Sequence, residues 1–225
     1  MGSGAAPLLA TARVRRGVAA VEVVLAVVAV LLDLLVPSLV LLVLAAVSLA
    51  ARREGPATLG LRRPDHPRRA CLQAGALGLA WTVLTFVLIR PALEHLTGSR
   101  EDMSSYAGLQ GNLGALLGLL VLAWTLAAVG EEVAHRGYLL TRLRDALPGG
   151  RPWTVLAALT SAALFGWLHR EYGTVGVLQA TVDALFFTVL RFRYRSLWPA
   201  VVAHGTVDTV GIVAVFLAGP VAALW

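Results

Sequence analysis

The sequence predicts an all-α fold, a polytopic transmembrane helical bundle of about seven helical segments. The mean hydropathy is +0.76 and only 14% of the residues are charged, whereas a soluble domain carries about 25% charged residues. Long apolar runs alternate with short loops that hold most of the arginines. Because a helix crosses a bilayer with about 20 apolar residues, these runs are long enough to be membrane spans.

The first three segments lie in the first 90 residues. The apolar run over residues 18–51 is interrupted by Asp33 and Pro37, which predict a tight turn between two short spans. A basic loop rich in turn-forming residues follows, and then a third span over residues 71–89.

The later segments follow a polar loop over residues 90–108. A fourth helix begins near Leu109 and ends at the Pro-Gly-Gly-Arg-Pro sequence of residues 148–152, since these residues break helices. Three further segments are predicted over residues 153–169, 174–190 and 197–217.

We interpret residues 1–17 as a cytoplasmic N-terminal tail and residues 18–225 as a single transmembrane domain. An inside N-terminus and an outside C-terminus place 15 arginines inside and three outside, in agreement with the positive-inside rule. The inside arginines are Arg13, Arg15, Arg16, Arg52, Arg53, Arg62, Arg63, Arg68, Arg69, Arg142, Arg144, Arg151, Arg191, Arg193 and Arg195. The outside arginines are Arg90, Arg100 and Arg170.

The net charge of +6 comes from arginine alone, because the chain contains no lysine. These arginines lie in short loops between apolar runs, so they indicate membrane orientation, and no nucleic-acid partner is predicted. The absence of lysine together with abundant Ala, Leu, Val and Gly indicates a GC-rich bacterial genome, and therefore a bacterial cell membrane. Cys71 is the only cysteine, which excludes an internal disulfide.

Charged side chains appear within the fourth apolar helix, in the sequence Gly-Glu-Glu-Val-Ala-His-Arg of residues 130–136. Charges inside a membrane are costly and call for a partner or a function. Glu132 and Arg136 are four residues apart, a spacing that suits an ion pair on one helix face. Glu131 points about 100° away, so it needs another partner, and His135 is one candidate.

Two later segments contribute histidines. Phe165 precedes His169 by one helical turn and is expected to pack beside its imidazole. His204 and Asp208 are four residues apart, so the carboxylate either orients the imidazole or joins it in facing a metal. Taken singly, each feature is also explained by an interface residue or a polar pair that packs helices. Asp183 is an isolated acid that either supports a site or pairs with an arginine.

Helical rise predicts where these groups lie in the membrane. If the fourth helix continues to Leu147, Glu131 and His169 are each about 24 Å from the loop at residues 148–152. His204 is about 10 Å from the inner loop before the last segment. The amphipathic stretch of residues 140–147 at the end of the fourth helix is expected to project into the cytosol. The three groups are therefore expected to meet at shallow depth on the cytosolic side.

The order of three motifs is more specific than any one of them. Glu-Glu-x-x-x-Arg is matched by Glu131, Glu132 and Arg136, Phe-x-x-x-His by Phe165 and His169, and His-x-x-x-Asn/Asp by His204 and Asp208. In this order the motifs resemble the CAAX protease and bacteriocin-processing (CPBP) family of intramembrane proteases. The resemblance covers residues 116–217, and it places the motif-bearing protease core at about 109–217.

The resemblance implies an all-helical core with a cavity open to the cytosol, in which a water attacks a peptide bond. It implies that Glu131 and His169 activate this water. Glu132 and Arg136 would hold the helix and the site in shape. The expected partners are the lipid bilayer and a membrane-associated or secreted peptide or protein substrate, and no oligomeric state is predicted.

Two mechanisms stay open for His204 and Asp208, to which the resemblance assigns oxyanion stabilisation or metal binding. Many family members carry Asn where this chain has Asp208, and an ionised Asp cannot donate a hydrogen bond to an oxyanion. One alternative is therefore a Zn²⁺ site made by His169, His204 and Asp208, with a position left for water. The other is a glutamate-dependent reaction without a cofactor.

Two further functions compete with the intramembrane endopeptidase. A non-proteolytic relative that acts in bacteriocin self-immunity or as a membrane scaffold has no need for a base, two histidines and an acid in one place. A transporter would use the same acids, but the sequence shows no inverted halves. The complete set of polar residues favours the peptidase.

Overall fold

A computed structural model describes residues 11–219, and within this range the chain is helical and contains no strand. The α-helices are α1 (Ala12–Leu31), α2 (Pro37–Arg52), α3 (Pro67–Leu84), α4 (Arg90–Thr97), α5 (Leu113–Leu122), α6 (Leu140–Ala146), α7 (Arg151–Trp167), α8 (Gly173–Tyr194) and α9 (Trp198–Ala218). π-Helical segments over Thr85–Ile89 and Ala123–Leu139 join α3 to α4 and α5 to α6. The described residues therefore form seven continuous helices, which confirms the predicted all-α bundle.

Four of the described helices are long and apolar enough to cross a membrane: Pro67–Thr97, Leu113–Ala146, Arg170–Tyr194 and Trp198–Ala218. The helix α2 is apolar but shorter. These lengths agree with a helical membrane protein. The inside location of the N-terminus stays a prediction, and both ends of the chain, residues 1–10 and 220–225, lie outside the described residues.

Three helix boundaries differ from those predicted. The helix α1 begins at Ala12, inside the predicted tail, because the side chain of Thr11 caps it. The third helix continues through α4 to Thr97, so the predicted polar loop is partly helical. The fourth helix begins at Leu113, later than predicted, because the side chain of Asn112 accepts the backbone N–H of Ala115. Capping by a single polar side chain thus sets two of these starts.

Successive helices run antiparallel, so the bundle has two ends. The basic end comprises the start of α1 and the loops after α2, α6 and α8, and it holds the 15 arginines predicted to lie inside. The mouth end comprises residues 32–36, 90–112 and 168–172 together with Gly219. At the mouth end, ion pairs of 2.6 Å join Arg170 to Asp33 and Arg90 to Glu101. Loops that the sequence placed on one side of the membrane are therefore in contact.

Glycines allow the helices that carry the motifs to pack closely. A Cβ atom on Gly166 would overlap the side chain of Thr181 and lie 2.5 Å from the carbonyl oxygen of Val177. A Cβ atom on Gly78 would lie 2.9 Å from the carbonyl oxygen of Ala203. Both approaches are closer than any side chain permits, so glycine is required where α7 meets α8 and where α3 meets α9.

Candidate active site

A cavity of about 590 Å³ lies between the helices, and residues of the mouth end contribute to its lining. Its volume is within the range of about 300–1,000 Å³ that is typical of ligand sites. Its walls include Glu131, His169, His204 and Asp208. Four of the predicted site residues, from three separate helical segments, are therefore brought to one space.

Glu131 and Glu132 are adjacent in sequence but lie on different sides of their helix. Glu131 lines the cavity, and it forms no hydrogen bond or ion pair with the residues between 11 and 219. Glu132 is fully buried behind the cavity wall. Both belong to the π-helical segment Ala123–Leu139, and π-helical turns are rare and often occur at functional sites.

His135 does not act as the partner of Glu131. Its side chain is fully buried and lies outside the cavity lining. Its ring meets Phe165 edge-on at a centroid distance of 5.2 Å, and its carbonyl accepts the hydroxyl of Ser161 at 3.2 Å. The pairing of Glu131 with His135 that the sequence offered is therefore not formed.

The predicted ion pair between Glu132 and Arg136 is present, and it also holds a residue of another helix. Oε1 of Glu132 is 3.1 Å from Nη1 of Arg136 and 3.0 Å from Nδ1 of His204. The guanidinium of Arg136 lies over the rings of Phe165 and Phe187, at 4.1 and 5.4 Å from their centroids. Glu132 therefore couples the first motif to the third, which the i,i+4 spacing alone does not reveal.

His204 lies between two carboxylates. Its Nδ1 faces Glu132, and its Nε2 is 3.5 Å from Oδ2 of Asp208, which is an ion-pair distance rather than a close hydrogen bond. The ring of Phe187 stacks on the imidazole at 4.6 Å with an interplanar angle of 12°. A neutral imidazole donates only one N–H, whereas the imidazolium donates two, so this environment suits the charged form of His204.

His169 has a defined tautomer. Its Nδ1 is 2.9 Å from the carbonyl oxygen of Phe165, and because a carbonyl only accepts, Nδ1 must donate. In the neutral ring Nε2 then carries the lone pair. The ring of Phe165 packs against His169 at a centroid distance of 4.6 Å, as the motif spacing predicted.

The contacts of His204 do not decide between the zinc site of His169, His204 and Asp208 and a reaction without metal. Its Nδ1 faces Glu132 and its Nε2 faces Asp208, one of the other two proposed ligands, and a metal-bound histidine often donates its second ring N–H to a carboxylate in this way. In the part of the chain that the structure describes, no group of three or more His, Cys, Asp or Glu residues is placed to hold a metal ion. The zinc alternative is therefore left to a chelation experiment.

Asp183 is a carboxylate outside the three motifs that also lines the cavity. Its Oδ1 accepts hydrogen bonds from Nε1 of Trp81 at 2.7 Å and from Nε2 of Gln179 at 2.9 Å. Of the two roles that the sequence allowed, the structure favours support of the site, because these partners are not arginines. Trp81 is 102 residues away from Asp183 in the chain, so no local spacing predicts the contact.

The cavity does not open at the end of the bundle that the sequence predicted. Its rim includes Asp33, Arg90, Glu101, Tyr106 and Glu171, all at the mouth end. None of the described residues in the loops of the basic end lines it. The predicted distances from the basic end were unequal, about 24 Å for Glu131 and His169 but about 10 Å for His204, so helical rise alone does not fix which end the shared cavity reaches. A cavity opening beside the arginine-rich loops, as predicted, is therefore not seen.

Comparison with known proteins agrees with the motifs. A family model described as type II CAAX prenyl endopeptidase Rce1-like matches residues 113–210, a range that contains all six predicted site residues. No curated protein and no solved structure matches the chain. The match confirms the family resemblance of the motif-bearing region.

Proposed function

We propose that this chain is an intramembrane endopeptidase. The proposal is supported by the match of residues 113–210 to a family of endopeptidases. Its reaction is the hydrolysis of a peptide bond by a water that Glu131 and His169 activate. The observation that carries the proposal is the convergence of Glu131, His169, His204 and Asp208 on one cavity.

Glu131 is the proposed general base. A base must lie within hydrogen-bond reach of the water that it deprotonates, and Glu131 has no ion-pair partner among residues 11–219 that occupies its oxygens. His169 supplies Nε2 as a second acceptor, since its Nδ1 donates to the carbonyl of Phe165. The water oxygen attacks the carbonyl carbon of the substrate while its proton passes to Glu131.

His204 is the proposed donor to the oxyanion of the tetrahedral intermediate. Its Nδ1 is held by Glu132 at 3.0 Å, whereas its Nε2 is 3.5 Å from Asp208. Because the contact with Asp208 is long, the Nε2–H of His204 is free to donate a hydrogen bond to the substrate oxygen. This hydrogen bond stabilises the negative charge that develops on that oxygen. As the C–N bond breaks, Glu131 returns the proton to the leaving nitrogen, and the products are a carboxylic acid and an amine.

The test is cleavage of a peptide library by the purified protein in detergent, read by mass spectrometry. Wild type is compared with Glu131→Gln, and with Glu171→Gln as a matched control that removes a carboxylate at the cavity rim. We expect wild type and Glu171→Gln to cleave and Glu131→Gln to be inactive. A folded wild-type protein that cleaves no peptide would instead support the scaffold or self-immunity function.

A chelation arm separates the two mechanisms. Activity that survives exhaustive chelation supports the glutamate-dependent reaction. Activity that is lost on chelation and restored by Zn²⁺ supports the metal-assisted reaction and contradicts the proposed role of His204 as the donor to the oxyanion.

A further inference from the structure

We infer that the basic end of the bundle holds a binding site for the phosphate of an anionic phospholipid headgroup, made by Arg62, Arg144 and Arg191. These three residues, the arginine cluster, come from the loop after α2, from α6 and from the end of α8. None of them lines the cavity, so the inference is independent of the proposed peptidase. It rests on the charge, the packing and the surroundings of the cluster.

The arginine cluster gathers positive charge without a carboxylate to balance it. The charged groups that act on Arg191 are the guanidinium groups of Arg62 and Arg144. Within residues 11–219, none of the three is at ion-pair distance from an acidic side chain. The nearby carboxylate of Asp145 is paired with Arg142 at 2.7 Å. Because like charges held together repel one another, an anion that binds among them is favoured.

The fold fixes the positions of two of these arginines. The guanidinium of Arg191 lies against Gly60, where a Cβ atom would overlap it, and its Nε has no hydrogen-bond partner. The carbonyl oxygen of Gly60 accepts the backbone N–H of Leu197 at 2.9 Å, which holds this turn against the start of α9. Nε of Arg62 donates to the carbonyl oxygen of Arg195. The cluster is therefore preorganised, and guanidinium groups bind phosphate oxygens through their planar set of N–H donors.

Two tryptophans indicate that this end lies at the level of the lipid headgroups. Trp153 is in the first turn of α7 and Trp198 is the first residue of α9, and both side chains are exposed. Tryptophan is enriched at the interface between membrane and water. The helices α7 and α9 both begin at the basic end, so the arginine cluster is expected at the depth of the phosphate groups.

The surface beside the cluster suits an acyl chain, which favours a phospholipid over free phosphate. The guanidinium of Arg144 lies over the ring of Phe192, 5.6 Å from its centroid. Val189 and Phe192 are three residues apart and therefore share one face of α8, and both are exposed. Val189 is the farther of the two from the end of α8. An exposed apolar surface thus leads from the charges toward the membrane interior.

Native mass spectrometry of the delipidated full-length protein in a neutral detergent tests the site, by titration with dioleoyl phosphatidylglycerol or dioleoyl phosphatidylcholine. The variant Arg144→Gln/Arg191→Gln removes two charges of the cluster. The matched control Arg13→Gln/Arg16→Gln removes two exposed charges elsewhere at the same end. A second cluster variant, Arg62→Gln/Arg144→Gln, keeps the packed Arg191. Melting temperatures without lipid verify that each variant is folded.

We expect wild type and the control to bind phosphatidylglycerol more tightly than phosphatidylcholine. Each cluster variant should lose affinity for phosphatidylglycerol by about fivefold for each arginine removed, the contribution of one arginine near an anionic lipid surface. Equal losses in the control and the cluster variants would overturn the inference, because binding would then follow net charge alone. Equal affinity for the two lipids, or competition by inorganic phosphate at the same concentration as the lipid, would also overturn it.

Discussion

Two buried arginines on one continuous helix have contrasting surroundings. Arg142 and Arg136 are each only 1% exposed. Arg142 donates to Ser48 at 3.0 Å, to Asp145 at 2.7 Å and to Glu54 at 2.9 Å. Among the described residues, the acidic partner of Arg136 within ion-pair distance is Glu132 alone, at 3.1 Å.

The difference shows that a buried arginine can stabilise the helix packing, as Arg142 does, or can also hold the candidate site in place, as Arg136 does. The partners of Arg142 are numerous and include side chains that reach solvent, since Glu54 is 14% exposed and Asp145 is 42% exposed. Loss of one partner leaves others and admits water. The carboxylate of Glu132 is fully buried and is shared between Arg136 and His204, so its loss affects both the fold and the proposed chemistry.

The largest expected effect is on catalysis, and it comes from a residue that pairs with neither arginine. Glu131→Gln should reduce single-turnover peptide cleavage by about 10²–10⁴-fold, because Gln is nearly isosteric but cannot accept a proton from water. Its melting temperature in detergent should match that of wild type, since Glu131 forms no ion pair with the described residues. Cleavage by Glu131→Gln at the wild-type rate would show that another group is the base.

Removal of a carboxylate beside each arginine compares the two surroundings directly. Glu132→Gln should lower the free energy of unfolding by about 3–5 kcal/mol, because it leaves the buried charge of Arg136 without its anion. The matched variant Glu54→Gln should cost about 1 kcal/mol, since its pairs are close to solvent and Arg142 keeps Ser48 and Asp145. Both are measured as denaturation in detergent. Equal losses would show that the two networks are equally redundant.

Substitution of the second carboxylate beside His204 should have a smaller effect. Asp208→Asn keeps a hydrogen-bonding side chain next to Nε2 of His204 and removes only its charge. We expect single-turnover cleavage to stay within about tenfold of wild type, the size of one neutral hydrogen bond. A loss as large as that of Glu131→Gln would indicate a direct role of the carboxylate, and bound metal would then be measured in the same samples.

The smallest expected effect concerns pH at the basic end. Burial raises the pKa of Glu54, but the hydrogen bond and charge of Arg142, with Arg52 and Arg15, outweigh it and hold this pKa below 4.5. A lowered pKa stabilises the fold at higher pH, and the contribution is lost as the pH falls through the folded-state value. Wild type should therefore lose more of its melting temperature below pH 4.5 than Glu54→Gln does. Parallel curves would exclude this contribution.

Most of the helical architecture could be predicted from the sequence. Apolar runs of membrane-spanning length, interrupted at Asp33 and Pro37 and at residues 148–152, indicate seven helical segments because the bilayer imposes both length and hydrogen bonding on the backbone. The motif order indicated the six site residues, and the i,i+4 spacing indicated the ion pair between Glu132 and Arg136. These inferences depend on local composition and on the geometry of one helix.

Contacts between helices were decided only by the tertiary structure. The bond from His204 to Glu132 spans 72 residues, and the bond from Trp81 to Asp183 spans 102; neither leaves a periodic signal in the chain. Helical rise and the arginine pattern likewise indicated two depths and an orientation, but they predicted an opening beside the arginine-rich loops, and no described residue of those loops lines the cavity. Which end of a bundle is open depends on how the loops and helix ends pack around the cavity, and that packing exists only once all the helices are assembled.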